Sequence, residues 1–413
     1  MPNKESLSKL IACRNLLDAP ELALLEEALN GRHQGACVSA LINRAETVGL
    51  SGNVLRAVIL YHLVHDKNIV NTIIERENGK IGKSLKEIFL HDMQCLFPYL
   101  NGEELDFLSV PFLKNYQPTN PLSTEASSYL AKKLENAATP EDYEHALLSY
   151  YEKYGYGDIA SYAAFCWDDA NKTLVGIPHF TAMNFDDLIG YEHQKEQLLE
   201  NTAAFVAHKP ANNVLLVGSR GTGKSSGVKA LAVRYYEKGL RLLQLKKTQL
   251  KNLPSIMEIL RDFASKRFII FLDDLSFEES DAEYKYLKSA IEGGVSTRPE
   301  NVLIYATSNR RHLIRENWSD RPEGQDAVHL DDSINETISL SDRFGLVIHY
   351  YAPDQNEYLA IIDHKLKKVG INLSPEELRI AGVRRKKRKN SRAICRLLLR
   401  SEKISDDCLI SYT

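Results

Sequence analysis

From Ser6 to about Gly155, apolar residues recur at helical spacing. Leu7, Leu10, Ile11 and Leu16 fall on one face, and Leu22, Leu24, Leu25 and Leu29 repeat it until Asn30-Gly31 interrupts the run. The same period predicts helices over residues 38–48, 54–64, 84–90 and 126–134. A further helix runs through Tyr143, Ala146, Leu147 and Tyr150, entered by Thr139-Pro140-Glu141. Proline at a first helical position and acids in the first turn are helix-start chemistry. Ser51-Gly52, Asn78-Gly79, Asn101-Gly102 and residues 115–121 read as turns, and no repeat period emerges.

Beyond Gly155 the pattern changes. Short strands are predicted near 160–165 and 173–177 around a turn at 168–172, as a hairpin or bridging piece. Strands at 214–217, 240–245, 268–272, 302–307 and 346–351 then alternate with helical stretches, among them one with Leu198, Leu199 and Phe205 that ends before Pro210. Several of these strands are continuous apolar runs, as required of parallel strands buried on both faces. After Pro353 two helical patterns return, one with Tyr358, Leu359, Ile361, Ile362 and Leu366, the other opening at Ser374-Pro375-Glu376. The expected organisation is a mostly helical accessory domain (1–176), an α/β core (177–352) and a helical lid with a basic tail (353–413).

The strand at 214–217 stops at a glycine-rich loop, Gly218-Ser219-Arg220-Gly221-Thr222-Gly223-Lys224-Ser225-Ser226, and a helix follows. The spacing of Gly218, Gly223, Lys224 and Ser225 is that of the P-loop, and the strand–loop–helix context supports it. Glycines let successive N–H groups turn toward one phosphate chain, and the helix start adds its positive dipole end. Lys224 is expected to reach the β- and γ-phosphates, and the Ser225 hydroxyl to bind Mg²⁺.

The run Phe268-Ile-Ile-Phe-Leu-Asp273-Asp274 ends in two carboxylates. Ligands of open α/β sheets sit at such strand ends, so Asp273 is expected to hold Mg²⁺ and Asp274 to orient an attacking water. Glu278 and Glu279 lie close enough in sequence to assist. Asn309, after the strand at 302–307, is placed to bond a γ-phosphate or the lytic water. Arg343 precedes the last strand. Presented to a neighbouring subunit's nucleotide it would act as an arginine finger, worth about 10³–10⁵ in rate where such fingers operate. An ion pair with Asp342 or Glu336 is the alternative.

In order and interval these motifs resemble AAA+ ATPases over roughly residues 185–384, and more narrowly an uncharacterised bacterial domain-of-unknown-function group of predicted AAA+ ATPases. The narrower resemblance rests on the loop at 218–226, Asp-Asp-Leu-Ser-Phe-Glu (273–278), Ala-Thr-Ser-Asn-Arg-Arg-His-Leu (306–313) and Leu-Ser-Asp-Arg-Phe-Gly-Leu (340–346). It implies a five-stranded parallel core with a small helical lid, ATP as ligand, Asn309 as sensor 1 and Arg343 as arginine finger. It also implies that Ile189, Gly190 and Tyr191 line the adenine pocket. Many AAA+ proteins carry Asp-Glu where this chain has Asp273-Asp274, and the shorter side chain reaches less far. Arg392 is a weak counterpart of sensor 2.

Composition narrows the rest. With 413 residues and a net charge of −3, the chain suits two or three domains and has no overall attraction to nucleic acid. Any such contact falls to Arg310, Arg311 or the block at 384–389, which more commonly is a solvated segment. The six cysteines are far apart and form no C-x-x-C pair, which argues against a zinc knuckle or redox motif and suits a reducing cytoplasm. Lys4, Glu5, Lys9, Arg14 and Asp18 break any signal-peptide core, and no apolar run reaches bilayer length, so no membrane partner is expected. His62 and His65 lie close together beside Asp66, but no further ligand is near in sequence, and they read as surface or core residues rather than a metal site. The tyrosines at 150, 151, 154, 156 and 162 read as anchors of a helix end or a domain seam rather than contacts for a nucleic acid or a partner. The expected function is ATP hydrolysis in a homo-oligomer that remodels or loads an unidentified protein or nucleic acid. A slow ATP-dependent switch or adaptor is the alternative, and a P-loop kinase fits less well because no acceptor-binding arginine cluster flanks the loop.

Overall fold

The computed structural model describes residues 7–101, 106–109, 111–178, 180, 184–277, 283–292, 298–309, 343–368 and 370–383. Glu278, Glu279, Arg310, Arg311, Glu336, Asp342, the basic block and Arg392 lie outside them. Seven strands form one sheet: β1 (Ala164–Asp168), β2 (Thr173–Gly176), β3 (Val214–Gly218), β4 (Leu240–Leu245), β5 (Arg267–Leu272), β6 (Val302–Ser308) and β7 (Leu346–Tyr350), ordered β2-β1-β4-β5-β6-β3-β7. The five expected core strands are present. The hairpin is present too, and it extends the sheet: β2 is antiparallel to β1, while β1 runs parallel to β4.

The described residues fall into two compact units. The first draws on Met1–Phe180, Tyr235–Ile270 and Gly293–Leu303. Its helical part follows the expected periodicity. The helix Pro140–Tyr154 has Pro140 at its start and a reciprocal cap in which Thr139 and Asp142 bond each other's backbone N–H. Sequence reasoning missed the helix Ile69–Arg76, whose short buried face is Val70 and Ile74 and whose cap pairs Asn68 with Asn71. The helix predicted at 84–90 extends over Lys83–Leu100, through Pro98, because Met93, Leu96, Tyr99 and Leu100 continue its buried face. Tyr150, Tyr151 and Tyr154 are buried, and Tyr154 packs on Tyr236 with ring centroids 5.8 Å apart. They are core residues of this unit, not a nucleic-acid platform. His62 is held between Glu21 (2.8 Å) and Asp66 (2.7 Å), an ion network. Burial alone would lower the His62 pKa, but the two carboxylates outweigh it and hold the ring protonated more strongly.

Two buried cations tie the helical part to the strands of the same unit. Arg241 on β4 is fully buried and donates to the carbonyls of Ile159, Tyr236, Leu240 and Tyr154, with its guanidinium 4.2 Å from the Tyr236 ring centroid. Lys266, immediately before β5, pairs with Glu75 at 3.1 Å, both side chains at most 1% exposed. Lys266 also donates to the Glu152 carbonyl and to Ser265 Oγ, which itself donates to Glu75. Burial lowers the Lys266 pKa, and Glu75 opposes that shift.

The second unit draws on Thr181–Arg234, Phe271–Glu292 and Ile304–Thr413. Strand β3 is flanked by β6 and β7, both parallel to it, so that Gly218 pairs with Tyr350 and Val217 with Ser308 at one edge. The helix Glu192–Val206 is fastened to this sheet by Asn201 and Thr202, which both bond the buried Tyr305 hydroxyl. Helices Gln355–Lys368 and Pro375–Val383 occupy the expected lid segment and pack through Ile362, Leu366 and Leu378.

Removing one partner of a buried pair strands the other charge. Glu75→Ala is expected to cost about 3–5 kcal/mol of stability, and adding Lys266→Met should recover most of it. Chemical denaturation of both variants measures this; equal midpoints for wild type and Glu75→Ala would show the pair to be dispensable.

Candidate functional site

The loop at 218–226 leaves the C-terminal end of β3, and the helix Lys224–Arg234 begins within it. Gly218 has φ +142°, and a Cβ there would sit 1.8 Å from the Tyr350 carbonyl oxygen. No side chain fits, because the obstruction is backbone of the adjacent strand. Gly221 also has positive φ (+80°), but a Cβ there meets nothing within 4 Å. The loop is therefore sterically fixed at its first glycine and open at its second.

Lys224 is buried, and its ammonium donates to the Gly218 carbonyl (2.9 Å), the Ser219 carbonyl (2.7 Å) and Asn309 Oδ1 (3.3 Å). Burial lowers its pKa, and the nearby Asp274 and Asp273 oppose the shift. Thr222 Oγ1 donates to the Ser219 carbonyl at 2.9 Å, closing the loop on itself. Ser226 follows in the first turn of the helix, half-buried.

Asp273 and Asp274 directly follow β5. Ser225 donates to Asp273 Oδ1 at 2.5 Å, so the loop serine and the first strand-end carboxylate are brought together. These hydroxyl and carboxylate oxygens are the hard donors that Mg²⁺ takes, usually with substrate phosphates and water completing the shell. The donor set therefore fits that ion. Asp274 has a left-handed backbone (φ +54°). Its Oδ1 accepts from Asn309 Nδ2 at 2.5 Å and its Oδ2 from Arg220 at 3.3 Å. Lys224, Asn309, Asp274 and Arg220 thus form one chain of contacts. The Arg220–Asp274 pair is exposed, of the kind worth about 0–1 kcal/mol.

Sequence reasoning passed over Thr307. It is buried within β6, donates to Asp273 Oδ1 at 2.8 Å and accepts from the Asp274 N–H at 2.9 Å. The available signal was a hydroxyl inside an otherwise apolar run, since a buried polar group needs a partner.

Leu188 lies beside the loop, its side chain 3.6 Å from the Cβ position of Gly223. Ile189 is half-buried, Gly190 has φ +78°, and Tyr191 (φ +59°) donates its hydroxyl to the Tyr351 carbonyl at 2.7 Å. Burial pushes the Tyr191 hydroxyl up to about 12. Arg343 is not gathered with these residues. Leu346 pairs with Val214 at the start of β3, so Arg343 stands at the sheet edge opposite Gly218, away from its own chain's phosphate loop.

The phosphate-loop strand lies between the asparagine strand β6 and β7, with the Asp-Asp strand β5 beyond β6, which is an α/β fold of the P-loop kind. The chain belongs to the family described as "Protein of unknown function (DUF815)", whose pattern matches residues 160–396, more than half of its length. No curated protein matches it. Among solved structures it is similar to the Thermotoga maritima RuvB Holliday junction branch migration motor, at 18% identity and a TM-score of 0.34 over 49% of this chain and 59% of that one. A mutant of the same RuvB gives 17% identity and a TM-score of 0.35, over 48% and 58% of the respective chains. The chain thus spans under two thirds of the RuvB length.

The two glycines should respond differently to substitution. Gly218→Ala is expected to abolish nucleotide binding and to cost at least about 2 kcal/mol, since strained backbone and an obstruction coincide. Gly221→Ala meets no obstruction and should cost only the strain of its left-handed φ, about 1 kcal/mol, while still folding. Thermal denaturation and nucleotide titration of the pair separate these outcomes, and equal behaviour would contradict the steric account.

Proposed function

We propose that this chain is an ATP hydrolase that binds ATP with Mg²⁺ at the 218–226 loop and couples the cycle to remodelling or loading a macromolecular partner. The observation that carries this reading is the convergence of Lys224, Ser225, Asp273, Asp274 and Asn309 at one sheet edge. In it, the loop N–H groups and Lys224 bind the phosphates, and Ser225 and Asp273 hold the metal. A bound metal would supply charge neutralisation for the phosphates. Asp274 orients the attacking water, Asn309 fixes Asp274 and the γ-phosphate, and the Leu188–Tyr191 stretch lines the base pocket. Arg343, remote from its own loop, serves the nucleotide of a neighbour in a homo-oligomer. The partner is a protein or a nucleic acid. The free cysteines Cys13, Cys37, Cys95 and Cys166 suit a cytoplasmic setting. Among the described residues no helix is long and apolar enough to cross a membrane.

One observation favours a slower variant of this reading. Both Asp274 oxygens are engaged, by Asn309 and by Arg220, and the side chain is one methylene shorter than glutamate. A switch that holds ATP and turns over rarely fits that restraint. It predicts steady-state turnover well below about 1 s⁻¹, the low end for enzymes, with nucleotide retained through gel filtration. Rapid turnover by the isolated protein removes the slow variant and leaves the hydrolase.

Replacing Lys224 with alanine deletes charge-assisted contacts to phosphate. Lys224→Ala should weaken ATP binding by about 10- to 100-fold, the equivalent of about 1.5–3 kcal/mol. Fluorescent-nucleotide titration measures it, and unchanged affinity would refute the phosphate role.

A further inference from the structure

We propose that Thr307 is a positioning residue that sets the two carboxylates after β5 in their separate tasks, Asp273 toward the metal and Asp274 toward water. The inference rests on the ATP-binding reading above and names a residue that it does not include. Thr307 bonds three successive residues. Its hydroxyl donates to Asp273 Oδ1 (2.8 Å) and accepts from the Asp274 N–H (2.9 Å), and its carbonyl accepts from the Leu275 N–H (2.7 Å).

A buried threonine in a strand can satisfy its hydroxyl with a single bond. Here both the donor and the acceptor function are used, on adjacent residues of the turn that carries the site. Asp273 Oδ1 receives two hydroxyls, Thr307 from β6 and Ser225 from the loop helix, so the carboxylate plane is fixed from two sides. Asp274 adopts a left-handed backbone, uncommon outside glycine, and its N–H is anchored on Thr307 Oγ1. That anchor turns the Asp274 side chain toward Asn309 and Arg220 rather than alongside Asp273. The register supports the same placement: Thr307 pairs with Leu216, two residues before Gly218, at the end of the sheet where the phosphate loop begins. A β-branched residue with a restricted χ1 holds this geometry better than serine, and valine keeps the shape without the hydroxyl.

The test compares Thr307→Val, Thr307→Ala and Thr307→Ser in the full chain. A fluorescent ATP analogue is titrated in EDTA and over a range of Mg²⁺, and single-turnover hydrolysis is followed in parallel. Thr307→Val should bind the analogue in EDTA within about twofold of wild type. It should need at least about tenfold more Mg²⁺ for the metal-dependent gain in binding, and turnover should fall about tenfold or more, as expected for losing a buried bond to a charged group. Thr307→Ser should stay within about threefold of wild type in both. A purely structural threonine would change the melting temperature and leave the Mg²⁺ requirement alone. If Thr307→Val fails to fold, Thr307→Ala against Thr307→Ser carries the same comparison. Wild-type Mg²⁺ dependence in a folded variant without the hydroxyl overturns the proposal while the nucleotide site stands. A wild-type protein that binds no nucleotide overturns the reading beneath it.

Discussion

Asp273 accepts the hydroxyl of Ser225 from the phosphate-loop helix and the hydroxyl of Thr307 from β6, both on the same oxygen. That shared oxygen joins three strand ends: β3 through its loop, β5 through the carboxylate, and β6 through the threonine. Parallel pairing makes this possible, because β3 and β6 deliver their C-terminal ends to one edge. The steric lock at Gly218 sets the height of the loop above that edge, since its backbone abuts the Tyr350 carbonyl. Without either feature the loop and the carboxylates would be separate elements of the sheet.

The charged side chains described at the edge differ in setting. Among the described residues, Lys224 and Arg220 stand against Asp273 and Asp274, two cations and two anions. Lys224 is buried and bonded to carbonyls of its own loop, whereas Arg220 is exposed and long. A triphosphate competes for both cations, and guanidinium offers phosphate a bidentate fork that an exposed carboxylate pair does little to outbid. The contacts seen here are therefore cheap to exchange at Arg220 and costly at Lys224. In the first unit the buried charge is structural: Lys266 and Glu75 are sealed from solvent as a pair.

Much of this was legible in the sequence because it is written locally. The loop spacing, the apolar run into Asp273-Asp274, and Asn309 after its strand each occupy a few consecutive residues. Helix caps such as Thr139 with Asp142 are equally local. What was hidden depends on pairing between distant segments. The joining of the hairpin to the sheet needs β1 to meet β4, some 80 residues away, as Ala164 pairs with Leu242. Thr307 shows its role only when β6 lies beside β5. Lys266 and Glu75 carry no signal of pairing in sequence, and Arg241 looks like an ordinary polar residue interrupting a strand. Arg343 was legible as a position, and the register adds that it precedes β7 at the end of the strand pair opposite Gly218.

Every role proposed for these residues requires that the edge at Gly218, Lys224 and Asp273 bind a nucleoside triphosphate together with its metal. Isothermal titration of the wild-type chain with a non-hydrolysable ATP analogue, with Mg²⁺ and then with EDTA, addresses it directly. The account predicts saturable binding at one site per chain that is clearly weakened when EDTA replaces Mg²⁺. Absence of saturable binding at millimolar analogue in the presence of Mg²⁺, by a folded protein, would contradict it.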